Sequence, residues 1–357
     1  MLRSSSLFVA VAVALLLQCA PAHTQSPEPA KGTIERIKVR GASLEGNLEG
    51  DSPDRDVVVY LPASYATATN RRYPVLYFLH GYSVNVDAYV KMLAVPDSID
   101  RAIAAGTREM IVVMPDAFTK YGGSMYSNSL TTGDWEGYVA HDLTSYIDRR
   151  YRTIAAREGR GLAGHSMGGY GTVRIGMKQP AMFAALYAMS SCCLMNDPGG
   201  ARGRAAGPAP PAAPAASGNR ATPPGGRGGA GMANALFAQA AAWAPNPLNP
   251  PQFFDLPTKD GELQPTIAAK WVANSPLVMV DQYVPNLKTF RAIAMDVGDQ
   301  DPGTPAITSL DHALTRLGVS HTFEVYEGTH TNRVRERFEL KVLPFFSTHL
   351  AGPRAGR

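Results

Sequence analysis

The sequence contains few cysteines and no cluster of metal ligands. Only three of its 357 residues are cysteine, at Cys19, Cys192 and Cys193, and none belongs to a C-x-x-C pair. No group of histidines has the spacing of a metal site, so we predict neither a metal nor another cofactor. In an oxidising compartment the adjacent pair Cys192-Cys193 can close a small, strained ring, or both can remain buried as thiols. We favour buried thiols.

Long apolar runs are also missing, except at the N-terminus. There, residues 7–17 form an apolar run that follows Arg3 and precedes the small residues Ala20-Pro21-Ala22. The run is too short to span a bilayer. The pattern predicts a secretory signal over residues 1–22, and therefore a secreted or periplasmic protein without a membrane span. An alternative interpretation makes Cys19 a lipidated first residue.

The excess of positive charge is small and local. The formal net charge is +4, and removal of Arg3 with the signal leaves +3. The segment 199–231 holds four arginines and no acid, so the rest of the chain carries −1. Because no basic stripe interleaved with aromatic residues remains, we expect no nucleic-acid partner.

The segment 199–231 offers almost nothing that a core could use. Of its 33 residues, 26 are Ala, Gly or Pro. This composition predicts a disordered insertion inside a single catalytic domain that spans residues 23–357. The sequence leaves two roles open for this segment. It is either a solvated loop, or a mobile lid or adhering segment beside the site.

The remaining chain alternates between strand and helix patterns. Short apolar or β-branched segments predict eight strands, at 33–40, 56–62, 74–81, 110–116, 159–166, 183–191, 289–298 and 321–328. Segments of helical period predict five helices, at 95–105, 135–150, 166–177, 305–317 and 332–350. The alternation predicts an α/β fold with a mostly parallel central sheet, helices on both faces and an antiparallel edge at the first two strands.

A candidate nucleophile lies where the fifth predicted strand meets a helix. Gly164-His165-Ser166-Met167-Gly168 has the form G-x-S-x-G. A serine on such a sharp turn exposes its hydroxyl at the edge of the sheet, and its neighbours must be small. The amino end of the following helix favours a developing negative charge. These features predict Ser166 as a nucleophile.

The predicted oxyanion hole combines two backbone N–H groups. One belongs to Met167, directly after Ser166, and the other to Tyr82, at the end of the third strand. His80 lies in the same turn and could be proposed as a base. We favour a structural role for His80.

Two later strand ends supply the other catalytic candidates. Asp301 follows the strand 289–298 and is the preferred carboxylate, with Asp299 as the alternative and Asp296 placed inside the strand. His330 follows the last strand and is the preferred base. The remaining candidate histidines lie within helices or just before a strand, at His141, His312 and His321. The order Ser166, Asp301, His330 matches the order of the α/β-hydrolase triad.

The loop after the fourth strand should overhang this site. Its polar and aromatic residues could line a pocket for an aromatic or sugar-bearing ester, namely Tyr121, Tyr126, Asn128 and Trp135. Packing of the loop against the domain is an equally acceptable interpretation of each.

With these motifs placed, the chain resembles the esterase family of α/β-hydrolases that includes feruloyl esterases, S-formylglutathione hydrolase, enterochelin-esterase-like proteins and mycolyltransferases. The matching stretches are RDVVVYLPASY, RRYPVLYFLHGYS, DLTSYIDRRYRT, GRGLAGHSMGGYGT, NSPLVMV, DVGDQD and YEGTHT. The resemblance implies the α/β-hydrolase fold, the triad Ser166, Asp301 and His330, and oxyanion N–H groups from Tyr82 and Met167. It does not imply a substrate, because the segment 199–231 replaces a stretch that borders the pocket.

The predicted function is hydrolysis of a small-molecule or carbohydrate-linked carboxylic ester through an acyl-enzyme. Acyl transfer to a sugar or lipid alcohol is an alternative that needs the same triad. A non-catalytic carbohydrate-binding protein is a third interpretation, and it predicts a missing triad member. The acyl group, the alcohol and the oligomeric state are open.

Overall fold

The computed structural model describes residues 31–198 and 229–355, without the side chains of 229–233 and 354–355. The chain divides into two units, residues 1–30 and residues 31–357, of which the first lies outside the described residues. The predicted signal 1–22, with Cys19, and residues 199–228 of the predicted insertion therefore lie outside the described residues as well.

All eight predicted strands are present and form one sheet. They are β1 (Thr33–Arg40), β2 (Asp54–Leu61), β3 (Val75–Leu79), β4 (Ile111–Pro115), β5 (Arg160–His165), β6 (Ala185–Met189), β7 (Ala292–Gly298) and β8 (Thr322–Tyr326). Their spatial order is β1-β2-β4-β3-β5-β6-β7-β8. Strand β2 runs antiparallel to both neighbours and the other neighbouring pairs are parallel, which confirms the predicted sheet and its antiparallel edge.

The sheet is covered by helices on both faces. The helices used below are α1 (Val86–Met92), α2 (Asp97–Ala104), α3 (residues 135–150), α4 (Met167–Lys178), α5 (Gly229–Trp243), α6 (Pro265–Ala273), α7 (Thr304–Arg316) and α8 (residues 334–349). Helices α3 and α8 each contain a π-helical segment, Tyr138–Leu143 and Phe338–Val342 respectively. Three short helical segments precede β7, at Pro276–Met279, Val280–Tyr283 and Val284–Leu287.

The apolar residues of the strands divide between two cores. In β3, Val75, Tyr77 and Leu79 pack on the side of α3, α4 and α7, while Leu76 and Phe78 pack on the side of α1, α2 and α8. Every residue of β3, β4 and β6 is buried, as expected for strands covered on both faces. The doubly covered sheet brings the ends of β3, β5, β7 and β8 to one edge, where the candidate site lies.

Helices α1, α5 and α6 have no counterpart among the predicted helices. The predicted insertion extends to residue 231, and α5 begins at Gly229, so its first three residues fall within the predicted segment. Alanine is abundant on both sides of residue 231. It is common in disordered insertions of this composition, and it is also the best helix former. Among the described residues, no helix is long and apolar enough to cross a membrane.

Candidate active site

Ser166 occupies a strained turn between β5 and α4. Its backbone has φ 58° and ψ −114°, a conformation that non-glycine residues rarely adopt. The Ser166 N–H donates to the Met189 carbonyl at 3.0 Å, and the Ser166 carbonyl accepts from the Cys192 N–H at 3.1 Å. These hydrogen bonds to strand β6 and the residues after it therefore stabilise the turn. Such support is expected where a reactive residue has a strained backbone.

The predicted need for small residues around Ser166 is confirmed by two close approaches. A Cβ on Gly168 would lie 2.0 Å from the Leu79 carbonyl oxygen. A Cβ on Gly164 would lie 2.4 Å from the backbone of Gly168. Any side chain at either position would push β3, β5 and α4 apart and would move Ser166.

The side chains of Ser166, His330 and Asp301 form one hydrogen-bonded series. His330 Nδ1–H donates to Asp301 Oδ2 at 2.7 Å, because the carboxylate can only accept. In the neutral imidazole this leaves Nε2 free to accept from the Ser166 hydroxyl at 2.9 Å. The arrangement can move a proton from Ser166 to His330 while Asp301 holds the ring.

Asp301 is set up to remain ionised. Its side chain is 2% exposed, and Oδ1 accepts the Gly303 N–H at 2.8 Å. Burial alone would raise the pKa of Asp301, but the hydrogen bonds from His330 and from the Gly303 backbone outweigh it, and the pKa lies below its ordinary value. A negative charge facing Nδ1 favours a positive charge on His330.

The two other candidate carboxylates have different partners. Asp299 is exposed and accepts the Gly328 N–H at 2.9 Å, which ties the loop after β7 to the loop after β8. Asp296 is fully buried within β7 and accepts from Tyr187 at 2.8 Å and from Arg337 at 2.9 Å. The structure therefore brings Asp301, rather than Asp299 or Asp296, to the ring of His330.

Replacing Asp301 with Asn should slow ester hydrolysis while the fold is kept. The amide would no longer stabilise a cationic His330 and would favour the wrong tautomer, so we expect kcat to fall on the order of 10⁴-fold. The matched variant Asp299→Asn should lose far less activity. Equal losses in the two variants, measured as steady-state kcat, would contradict the role assigned to Asp301.

The loop after β3 lies directly beside Ser166. A Cβ on Gly81 would be 3.4 Å from the Ser166 Cβ, which brings the following residue, Tyr82, to the nucleophile. Within the part of the chain that the structure describes, the N–H groups of Tyr82 and Met167 have no hydrogen-bond acceptor. The Tyr82 hydroxyl donates to the Tyr121 carbonyl at 2.9 Å, so the neighbouring loop anchors this residue.

His80 is committed to the backbone of this turn. Its Nε2 accepts the Ala117 N–H at 2.8 Å, and its Nδ1–H donates to the Gly81 carbonyl at 2.8 Å. The ring is 1% exposed. Both ring nitrogens are occupied by backbone partners, so His80 holds the turn and is not available as a base.

A feature that sequence reasoning missed links the base to the residue before the nucleophile. His165 Nε2–H donates to the backbone carbonyl of His330 at 2.8 Å, and His165 Nδ1 accepts from the Tyr89 hydroxyl. The rings of His165 and His330 also pack at 4.9 Å between centroids. A histidine beside the nucleophile was visible in the sequence, but nothing there showed that it is buried or that α1 directs Tyr89 towards it.

This link requires a neutral His165. Burial, assisted by the proximity of His330, lowers the pKa of His165 to about 3. Because an unfolded histidine titrates near pH 6.5, the folded state keeps its full stability above pH 6.5 and loses it as the pH falls from 6.5 towards 3.

The variant His165→Gln should therefore have a flatter dependence of stability on pH. Between pH 7 and pH 4.5 the wild-type protein should lose about 2.5 kcal/mol more unfolding free energy than the variant, because the variant lacks the histidine that takes up a proton on unfolding. Urea unfolding at the two pH values measures the difference. Parallel losses would show that His165 titrates normally in the folded protein.

Two of the predicted pocket residues belong to the core instead. Tyr126 is 0% and Trp135 is 1% exposed, so neither has surface to offer a ligand. The Tyr126 hydroxyl donates to the His80 carbonyl at 3.3 Å, and Trp135 Nε1–H donates to the Thr132 carbonyl at 2.9 Å. The predicted pocket role of both is wrong, because both rings pack into the core.

The other two predicted pocket residues remain accessible. Asn128 is exposed, and Tyr121 is half-buried next to Tyr82. The ring of Tyr121 packs edge-on against Phe237 at 5.8 Å and against Phe254 at 5.5 Å. Both phenylalanines line a cleft of about 730 Å³, whose other walls carry polar side chains such as Gln252.

The strand order, the serine turn and the positions of the three polar side chains define an α/β-hydrolase fold. A model of the family described as "Putative esterase" matches residues 52–339, and the chain belongs to that family. The resemblance predicted from the sequence motifs is thereby confirmed.

Solved structures show the same fold. A ferulic acid esterase is 22% identical, with a TM-score of 0.62 over 90% of this chain and 99% of that one. An S-formylglutathione hydrolase from Staphylococcus aureus is 15% identical, with a TM-score of 0.57 over 88% of this chain and 99% of that one.

Curated relatives match a shorter region. An esterase of Mycobacterium tuberculosis is 35% identical over 136 residues, which are 36% of this chain and 27% of the relative. An endo-1,4-beta-xylanase/feruloyl esterase of Xylanibacter ruminicola is 33% identical over 132 residues, 35% of this chain and 18% of the relative. The chain thus matches less than a third of the length of either protein.

Proposed function

We propose that this protein is a serine esterase that hydrolyses carboxylic esters through an acyl-enzyme. The observation that carries the proposal is the continuous series from Ser166 Oγ through His330 to Asp301, with hydrogen bonds of 2.9 Å and 2.7 Å. Membership of the esterase family supports the same reaction.

In the proposed mechanism Ser166 Oγ attacks the ester carbonyl while His330 Nε2 takes the hydroxyl proton. His330 then gives that proton to the leaving alcohol, which breaks the ester bond and leaves an acyl group on Ser166. Water, deprotonated by His330, attacks the acyl-enzyme and releases the acid. Asp301 stabilises the cationic form of His330 in both halves of the reaction.

A negative charge develops on the substrate carbonyl oxygen. We assign its stabilisation to the N–H groups of Tyr82 and Met167. Support comes from their position beside Ser166 and from the lack of a competing acceptor among the described residues. Met167 begins α4, so the partial positive charge at this helix end acts in the same direction. A single oxyanion donor typically contributes about 3 kcal/mol to the transition state.

The proposed substrates are esters of small molecules or of carbohydrates. The cleft lined by Phe237 and Phe254, which contact the ring of Tyr121, combines aromatic rings with amide and carboxyl side chains. Such a surface suits a sugar or an aromatic acid. Feruloyl esterase occurs in the name of a relative, and we extend that substrate class to this chain as a proposal.

A two-part assay tests the proposal. The protein is given p-nitrophenyl acetate and methyl ferulate, and a second sample is first treated with a fluorophosphonate. We expect turnover of at least one ester and its complete loss after one equivalent of label. Turnover that survives stoichiometric labelling would argue against a serine enzyme, and hydrolysis of neither ester would argue against the substrate class.

We further propose that the protein acts outside the cytoplasm, on the strength of the N-terminal pattern at residues 1–22. The mature chain should then begin at His23. N-terminal sequencing of protein from a secreting host checks this. Exported protein that still begins at Met1 would contradict it.

A further inference from the structure

Cys192 and Cys193 lie next to the nucleophile, and the proposed mechanism does not use them. They follow β6 after Ser190 and Ser191. The Cys192 N–H donates to the Ser166 carbonyl at 3.1 Å, so the pair is one hydrogen bond from the backbone of the nucleophile.

The two sulfur atoms approach each other more closely than unbonded sulfurs do. The Sγ–Sγ distance is 2.6 Å, and both cysteines are free thiols whose side chains are half-buried. The backbone of Cys193 has φ 60°, in the left-handed region that is rare for a residue with a Cβ. The local conformation thus brings adjacent side chains together instead of directing them to opposite sides, as an extended strand would.

We propose that Cys192 and Cys193 form a disulfide between adjacent residues, a covalent modification at the edge of the active site. The sequence supplies no other partner in the mature chain, because the third cysteine, Cys19, lies within the predicted signal. Both cysteines are free in the structure, in agreement with the favoured interpretation from the sequence, and the proposed ring is the alternative that the sequence left open.

The bond forms by exchange with a low-molecular-weight disulfide. One cysteine loses its proton, and its thiolate attacks a sulfur of the reagent and releases one small thiol. The second cysteine, deprotonated in turn, displaces the other half of the reagent. Two S–H bonds and one S–S bond break, one S–S bond forms in the protein, and the reagent is reduced to two thiols.

The ring has a consequence for the turn that contacts Ser166. Adjacent Cα atoms are only about 3.8 Å apart, closer than in ordinary disulfides, so the ring is strained and open to reduction. While the ring is closed, it fixes the backbone that directs the Cys192 N–H to the Ser166 carbonyl. The role of the ring in positioning the nucleophile rests on the proposed function.

Peptide mapping tests the disulfide without reference to activity. Trypsin should release residues 179–202 as one peptide that contains both cysteines and no internal Lys or Arg. After incubation of the full chain with oxidised glutathione and alkylation under denaturing conditions, this peptide should be unalkylated and two hydrogens lighter. Reduction before alkylation should add two alkyl groups. Alkylation of both cysteines without reductant, a glutathione adduct or a disulfide-linked dimer would each overturn the proposal.

Ester hydrolysis tests the positioning role. Reduction of the wild-type protein should lower kcat severalfold, on the order of three- to tenfold, because a less constrained turn places Ser166 less accurately. The variants Cys192→Ser and Cys193→Ser cannot close the ring, and both should match the reduced enzyme and ignore the reductant. An unchanged wild-type rate on reduction, with the disulfide confirmed by mass, would overturn the positioning role alone. Inactivity of both redox forms would instead count against the proposed function.

Discussion

Replacing Ser166 with Ala is expected to lower kcat for ester hydrolysis on the order of 10⁶-fold. The variant removes the oxygen on which the proposed acyl-enzyme forms, and His330 would then face a methyl group where the hydroxyl donated at 2.9 Å. Serine hydrolases that lose the nucleophile keep only the rate that binding and the oxyanion donors supply. Steady-state assays with p-nitrophenyl acetate at high enzyme concentration cover this range.

The control for this variant is Ser309→Ala. Ser309 is exposed on α7, and its hydroxyl donates to the Pro305 carbonyl of the same helix. This change should leave kcat unaltered and shift the unfolding temperature little. If Ser166→Ala unfolds normally and retains a tenth or more of the activity, Ser166 is not the nucleophile.

Replacing His330 with Ala should cost about as much as the loss of Ser166, on the order of 10⁶-fold in kcat. Without the imidazole no group takes the Ser166 proton, and Asp301 keeps only its hydrogen bond from the Gly303 N–H. Because the two residues act as one unit, the double variant Ser166→Ala/His330→Ala should be no slower than either single variant. Measured kcat values for the three proteins give the comparison.

His312→Ala is the matched control for His330. His312 is exposed on α7, away from any strand end, so its loss should not change kcat. Multiplicative losses in the double variant would indicate that Ser166 and His330 act independently, which the hydrogen-bonded series does not allow.

The sequence predicted the elements that hold the site because these depend on short-range signals. A buried apolar run that ends in Gly or Asp marks the end of a strand, and parallel strands bring such ends to one edge. Ser166, Asp301 and His330 all follow strands of this kind, so their approach could be predicted from topology. The preference for Asp301 over Asp299 also agrees with the contacts, because only Asp301 reaches the ring of His330.

Where long-range packing determines the structure, the predictions from the sequence were wrong or incomplete. Tyr126 and Trp135 occur in a polar loop and were predicted near a pocket, but both pack into the core. Aromatic side chains suit either place, so composition alone does not choose between them. The Tyr89–His165 contact joins residues 76 positions apart, and no local pattern encodes it. Helix α5 was missed for a third reason, since its alanines continue the composition of the preceding insertion.

The most direct test of the account is the position of the acyl group in the trapped intermediate. A single turnover of p-nitrophenyl acetate, stopped in acid and digested with trypsin, should place one acetyl group on the peptide of residues 161–174, whose only serine is Ser166. Fragmentation of that peptide should locate the group on Ser166, and the adduct should be missing from Ser166→Ala. An acetyl group on another residue during the burst, or a burst without an adduct, would contradict a mechanism that passes through Ser166.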